Sequence, residues 1–306
     1  MNIGVWNVRG LNDPLKQKDM VGRLKRLKCN LVCLIETRVK ESKCQTIVDK
    51  VFPGWGQLQN YSSAVNGRIW ILWSSLVQVR EINTMEQCIT CLVSIQAKQF
   101  WLSVVYGLNR GIERRRLWDH LCSLGRNMNQ KPWMIAGDFN SIVNPSESSS
   151  VNSNQVMTTD TKEFKECLQK LEVFDHVYSG PLFTWTNRQG EGFVAKKLDR
   201  VLINGNWLLS FPSSKVEFLL PGSSDHCLAK IQLSQNSLSP PKPFKMFNFW
   251  TKHKDFLQVV CSSWELPVKG SPMVKFQTKL KRLKCKLREF NKRYYDDISL
   301  KVKIKR

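Results

Sequence analysis

Trp133-Met134-Ile135-Ala136-Gly137-Asp138-Phe139-Asn140 is a short apolar run that ends in Gly-Asp-x-Asn. It predicts a buried strand that delivers a carboxylate and a carboxamide where the chain turns. Side chains alternate along a strand, so Asp138 and Asn140 leave its end on the same side. A carboxylate there can accept a proton, and a carboxamide can hold an oxygen without adding charge. Gly-Asp-x-Asn also closes ordinary turns, so its meaning depends on what surrounds it.

Outward from that stretch, strands are expected over residues 3–8, 31–35, 68–73, 88–95 and 100–106, and later over 183–186, 195–203, 216–220 and 228–233. Helical spacing of apolar residues marks 13–28, 42–51, 113–127 and 160–171. The Ser- and Asn-rich stretch 144–159 predicts a loop. Strands and helices alternate irregularly, and some strands are joined by short turns. That pattern predicts a mixed-sheet α/β layered domain rather than a strictly parallel one. It spans residues 1–233, followed by a Ser/Pro-rich linker at 234–243. Residues 244–306 form a basic, helical tail, with Phe276, Leu280, Leu283, Leu287 and Phe290 at spacings of three or four.

The 306 residues, 42% of them hydrophobic and 11 of them Trp, suffice for a substantial core. No signal peptide or apolar run long enough for a bilayer is evident, so the product is expected to be intracellular, with no membrane partner. Cys88-Ile-Thr-Cys91 has no second pair at zinc spacing, and the ten cysteines read as reduced, mostly buried thiols. Net charge is +22, and residues 240–306 alone hold 18 basic and 5 acidic residues. Such a surplus points to a polyanion, foremost nucleic acid.

Polar residues recur where strands stop: Asn7, Glu36, Tyr106, Asp138 with Asn140, Asp199, and Asp225 with His226. Each alone reads as a cap or turn, but together they line one rim of a sheet, where sites gather. Gly222-Ser223-Ser224-Asp225-His226 and Leu198-Asp199-Arg200 allow an Asp to orient an imidazole for general acid–base work. Only four histidines exist, and His120, His176 and His253 lie in helical or loop contexts and read as incidental.

Trp6-Asn7-Val8-Arg9-Gly10, Ile35-Glu36-Thr37, Val105-Tyr106-Gly107-Leu108-Asn109, Gly137-Asp138-Phe139-Asn140, Leu198-Asp199-Arg200 and Ser224-Asp225-His226 occur in a set order. In that order and spacing the chain resembles the endonuclease/exonuclease/phosphatase superfamily, which includes deoxyribonuclease I and the apurinic/apyrimidinic endonucleases. Within it, Phe183-Thr184-Trp185-Thr186-Asn187 and Gly67-Arg68-Ile69-Trp70 look like the endonuclease domain of plant non-LTR (LINE-type) retrotransposons. Pro243-Phe244-Lys245 through Asn248-Phe249-Trp250 is similar to the segment after that domain, so a reverse transcriptase is expected to follow in such an element.

The resemblance implies a deoxyribonuclease I-like fold, a four-layer α/β sandwich of two packed mixed β-sheets. It implies a Mg²⁺- or Mn²⁺-dependent endonuclease that nicks double-stranded DNA in the nucleus. By matching position Glu36 would bind the cation, with Asn7 and Asp225 nearby, all oxygen donors as a hard cation requires. Asp138 would position or activate water, helped by Asn140. His226, oriented by Asp199, would meet the scissile phosphate, and Tyr106 and Asn109 would hold its oxygens. Thr184, Trp185 and Arg200 would contact nucleic acid, with the tail as a further contact to DNA or RNA. Arg9 stands where the apurinic endonucleases have Asp, which removes one possible metal carboxylate. Arg114-Arg115-Arg116 reads equally as a phosphate contact or a solvated helix face. A repair-type endonuclease, an inositol phosphatase or an inactive nucleic-acid-binding remnant remain alternatives, although the phosphatases' Pro-Ala-Trp-Cys is absent before Asp199.

Overall fold

The computed structural model describes residues 1–65, 67–128, 130–150, 157–233, 248–268 and 272–295. Met1–Gln235 and Asn236–Arg306 form two compact units. The expected linker at 234–243 lies outside the described residues, as do 151–156 of the loop and 296–306 of the tail.

In chain order the first unit contains β1 (Asn2–Asn7), α1 (Pro14–Arg26), β2 (Cys29–Ile35), α2 (Glu41–Val51), β3 (Gly56–Gln59) and β4 (Ile69–Trp73). Then come β5 (Gln78–Met85), β6 (Cys88–Ile95), β7 (Lys98–Tyr106), α3 (Gly111–Gly125), β8 (Trp133–Asp138) and α4 (Thr159–Leu171). The remainder is β9 (Phe174–Asp175), β10 (Tyr178–Ser179), β11 (Trp185–Thr186), β12 (Ala195–Lys196), β13 (Asp199–Ile203), α5 (Gly205–Ser210), β14 (Lys215–Leu219) and β15 (Leu228–Gln232).

One sheet runs β10-β14-β15-β1-β2-β4-β3 and the other β5-β6-β7-β8-β13-β9; β11 and β12 form a separate ribbon. Both large sheets are mixed, with β1–β2 and β7–β8 parallel and the strands beside them antiparallel. Ile3, Val5, Leu31, Cys33 and Ile35 from one sheet meet Leu102, Val104, Met134, Ala136 and Val201 from the other in one core. The alternate residues face outward: Trp6, Val32 and Leu34 pack under α1 and α2 through Met20, Leu24, Cys44 and Val48. On the far side Val105, Trp133, Ile135 and Leu202 pack under α3 and α4 through Leu117, Trp118, Phe164 and Cys167. Helices, sheet, sheet, helices: this is the four-layer sandwich. Burial on both faces explains why β2 and β8 read as continuous apolar runs rather than alternating ones. Each aliphatic side chain so buried contributes roughly 1.5–3 kcal/mol.

Cys88 and Cys91 sit three apart on β6 and therefore face opposite layers, Cys88 toward the helices and Cys91 into the inter-sheet core. They cannot chelate together. All ten cysteines are free thiols.

The expected strand 195–203 is broken in two. Thr184 Oγ1 accepts the backbone N–H groups of Leu198 (3.1 Å) and Asp199 (2.9 Å), diverting them from a ladder. Of residues 183–186 only Trp185 and Thr186 pair. The second unit contains α6 (Phe256–Glu265), where helix was expected, after a 3₁₀ turn at Asn248–Lys252, and α7 (Pro272–Tyr295). Trp250, Phe256, Leu287 and Phe290 form its small core, whereas Phe276 and Leu280 of the expected stripe are exposed. Among the described residues no helix is long and apolar enough to cross a membrane.

Candidate active site

Strand direction gathers the polar rim. β1 and β2 run parallel with Asn7 beside Ile35, so Asn7 and the following Glu36 leave the same end of one sheet. β7 and β8 run parallel with Tyr106 beside Asp138, and antiparallel β13 sets Asp199 directly across from Asp138. β15 is antiparallel to β1, so His226, just before its start, returns to the same end. Hydrogen bonds then join the two sheets. Asn7 Nδ2 donates to Asp138 Oδ2 (2.9 Å) and to Glu36 Oε2 (3.1 Å). His226 Nδ1 donates to Asp199 Oδ2 (2.9 Å), and His226 Nε2 lies 3.8 Å from Asp138 Oδ2. Ser224 Oγ donates to the Asn7 carbonyl (2.6 Å) and accepts the His226 N–H (3.2 Å), tying the Ser-Asp-His turn to β1.

Asp138 is buried, and loss of water pushes its carboxyl up to about 6, with Asp199 adding to the rise while His226 and the donors Asn140 N–H and Asn7 oppose it. Burial alone would lower the His226 imidazole, but Asp199 and Asp138 outweigh it and hold it up at about 9. The result is a buried imidazolium between two carboxylates. Burial, with Glu36 and Asp138 nearby, likewise lifts the Tyr106 hydroxyl to about 12. Tyr106 therefore stays a hydrogen-bond donor at neutral pH.

Asp138, Asp199 and His226 each offer a ligand atom within 4.8 Å of the others. Two of those groups are already joined by the His226–Asp199 hydrogen bond, an arrangement that can pass a proton as well as hold an ion. Glu36 is the better fit to a hard cation, a nearly buried carboxylate at the mouth; Asn7 stands beside it but turns its Nδ2 to Glu36 and Asp138, while its Oδ1 accepts the Arg9 N–H (3.0 Å). Asp225, expected with them, instead accepts from Trp185 Nε1 (3.0 Å) and pairs with Arg9. Burial would raise its carboxyl, but His226, Arg9 and Trp185 together lower it. Arg38 caps Glu36 in the same manner. Arg9, Glu36, Arg38 and Asn140 all have φ between +48° and +57°, a conformation disfavoured for side-chain-bearing residues that collects at functional sites.

Asn140 donates its backbone N–H to Asp138 Oδ1 (2.9 Å) and its Nδ2 to Gly107 O (2.7 Å) and Asn109 Oδ1 (3.3 Å). Glu36, Tyr106 and Asn109 line a cleft of ≈ 360 Å³ together with Arg38, Val65 and Arg68. Arg38 and Arg68 were given no role by sequence, although Arg38 directly follows Ile35-Glu36-Thr37 and Arg68 lies within Gly67-Arg68-Ile69-Trp70.

Two nucleic-acid expectations need correction. Thr184 is fully buried and serves the backbone of Leu198 and Asp199, which fixes Asp199 for His226. The Arg200 side chain is 0% exposed and pairs with Glu147 and with Asp175 (2.7 Å). Neither reaches a ligand. Trp185 is half-buried, with its ring 6.4 Å from that of His226, at the rim.

Comparison with known proteins agrees with this architecture. The structure is similar to the endonuclease domain of TRAS1, a telomere-specific non-LTR retrotransposon, with TM-score 0.59 and 14% identity over 77% of this chain and 99% of that one. It is similar also to truncated TDP2 of Caenorhabditis elegans, with TM-score 0.53 and 16% identity over 75% of this chain and 96% of that one. No curated protein matches by sequence. The sequence model of the Endonuclease/Exonuclease/phosphatase family matches residues 4–226, the span that contains every rim residue from Asn7 to His226, and the chain belongs to that family.

Proposed function

We propose that the chain is a divalent-cation-dependent phosphodiesterase, a DNA-nicking endonuclease of retroelement type. The observation that carries this reading is the junction of two sheets at one mouth, where Asn7 bridges Glu36 and Asp138 while Asp199 holds His226. Its likeness in fold to a retrotransposon endonuclease domain supports the retroelement assignment.

In the proposed mechanism Asp138 is the base. Asn7 and the Asn140 N–H fix its two oxygens, and burial makes it a stronger base than an ordinary carboxylate. It takes the proton of the attacking water. As the new P–O bond forms, the P–O bond to the leaving sugar oxygen breaks and solvent protonates that oxygen. His226, kept charged and oriented by Asp199, donates a hydrogen bond from Nε2 to a phosphate oxygen, and Tyr106 and Asn109 hold the others. Mg²⁺ or Mn²⁺ held by Glu36, close to Asn7, would supply charge neutralisation for the phosphate. Trp185 borders the bound strand, and the +13 of residues 240–306 adds attraction for DNA or RNA. With a chromosomal substrate the protein would act in the nucleus.

Supercoiled plasmid incubated with Mg²⁺ tests the proposal. The wild-type chain should convert it to open circle; EDTA, Glu36→Ala and His226→Ala should each abolish conversion. Tight binding by a well-folded wild type without nicking would refute it.

A further inference from the structure

The basic run Arg114-Arg115-Arg116 separates into three different fates. Arg115 is 51% exposed and pairs with Glu163 on α4 (2.8 Å), and Arg116 lines the outer groove beside Arg68 and Asn109. Arg114, in the first turn of α3, is 4% exposed and cannot reach a phosphate. Its guanidinium grips Asp160 of α4 through Nε (3.2 Å to Oδ1) and through the terminal nitrogen facing Oδ2 (2.5 Å). The other terminal nitrogen donates to the carbonyls of Leu108 and Asn109, the latter at 2.9 Å. Asp160 Oδ2 in turn accepts from Ser141 Oγ (3.0 Å).

One ion pair thus ties together the loop after β7, which carries Asn109, and the loop after β8, which carries Asn140. These are the loops on either side of Asp138. They touch backbone to backbone: Gly107 N–H donates to Asp138 O (2.8 Å), and a Cβ on Gly107 would lie 2.5 Å from Phe139 O. A planar fork that spans a carboxylate and two carbonyls needs arginine; a lysine ammonium lacks that geometry. Gln87 holds the first loop from the opposite side, accepting the Leu108 N–H at its Oε1 (2.9 Å) and donating to Glu113 O (3.0 Å). The loop therefore remains tethered when Arg114 is changed.

We propose that Arg114, locked by Asp160, is a positioning residue for the phosphate-holding carboxamides: it sets where Asn109 and Asn140 stand relative to Asp138 without touching substrate. This rests on the proposed phosphodiesterase reading. Misplacing such groups by about 1 Å lowers turnover about a hundredfold. Binding to DNA, spread over many contacts, is left nearly unchanged.

The test compares wild type, Arg114→Lys, Asp160→Asn, Ser141→Ala and the control Arg115→Ala by two readouts. Amide hydrogen exchange is followed in peptides covering residues 106–111 and 139–142. Single-turnover nicking and Kd for an uncleavable duplex are measured in parallel. Arg114→Lys and Asp160→Asn should each accelerate exchange in both loops by about tenfold with β8 unchanged. They should slow nicking by about 10–100-fold while Kd moves less than about threefold. Ser141→Ala should do the same more weakly, and Arg115→Ala should do neither. A wild type that does not nick would remove the phosphodiesterase reading, and the exchange data alone would still decide the clamp. Unchanged exchange in Arg114→Lys and Asp160→Asn overturns the proposal. So does an Arg114→Lys chain whose duplex affinity falls about tenfold while its loops stay protected, the behaviour of a direct phosphate contact.

Discussion

Asp199→Asn isolates the electrostatics of the dyad. Asp199 is the strongest influence holding the His226 imidazole at about 9 instead of 6.5, against a burial that alone would lower it. A folded-state value above the unfolded one contributes stability that is fully present below pH 6.5 and lost as pH rises through about 9. At about 1.4 kcal/mol per pH unit, the rise from 6.5 to about 9 is worth roughly 3 kcal/mol. Asp138, raised from 3.8 to about 6, has the same sign but loses most of its share at lower pH. The assay is urea unfolding of the metal-free protein in EDTA at pH 6 and pH 9. Wild type should lose more stability than Asp199→Asn across that interval, by up to roughly 3 kcal/mol, because the neutral amide removes the largest influence raising the imidazole while Asp138 keeps part of the rise in both chains. An NMR titration of the His226 ring in wild type should find its midpoint well above 6.5. Equal pH slopes for the two chains, or a wild-type midpoint at or below 6.5, would refute the reasoning.

Arg200→Met should cost about 1–3 kcal/mol in urea unfolding, since it strips the buried Glu147 and the half-buried Asp175 of one of their two cations and leaves them Lys197 alone; duplex affinity of the folded protein should stay as it was, and a loss of affinity without destabilisation would restore a ligand contact. Gly137→Ala should fail to give soluble folded protein, because φ is +146° there and a Cβ would lie 2.0 Å from Val105 O; a folded variant of wild-type melting temperature would contradict that. Ellman's reagent at neutral pH should titrate two thiols rapidly, Cys261 and Cys285, and the rest slowly or only in denaturant; fast reaction of Cys33 or Cys91 would show that the inter-sheet core is open.

Much of the fold was legible because its central strands are buried on both faces. Residues 31–35, 88–95 and 133–136 are runs that only a covered strand explains, and each proved to be one. The edges were not legible. β5 is Gln-Val-Arg-Glu-Ile-Asn-Thr-Met at the rim of its sheet, with no fully buried residue, and its polar composition hides a backbone that pairs with β6. β3, Gly-Gln-Leu-Gln, is the same case at the other sheet's edge.

At the rim, the placement of Asn7, Glu36, Tyr106, Asp138 and Asn140 was legible because each closes or follows a strand; Asp199 opens β13 and His226 precedes β15, and antiparallel pairing brings both back to the same end. What could not be read was which neighbouring polar residues turn inward. Arg200 follows Asp199 by one residue and so points to the opposite face of β13, into a pocket made by Glu147 and Asp175. Those partners lie 53 and 25 residues away in the chain. Arg114 is hidden in the same manner among exposed arginines, by an Asp160 46 residues distant. Asp225 stands next to His226 in sequence yet pairs with Arg9 and Trp185, because a one-residue step at the start of β15 reverses the side-chain direction.

The central claim is that side chains from both sheets act as one catalytic centre. Single-turnover nicking of a duplex by wild type, Asp138→Asn, His226→Ala and the double variant tests it most directly, since Asp138 closes β8 of one sheet and His226 precedes β15 of the other. Groups that act as a unit lose their effect together, so each single change should slow nicking by roughly a thousandfold or more and the double should be no slower than the worse single. Losses that multiply in the double variant would contradict a shared centre, and nicking by Asp138→Asn at the wild-type rate would remove it.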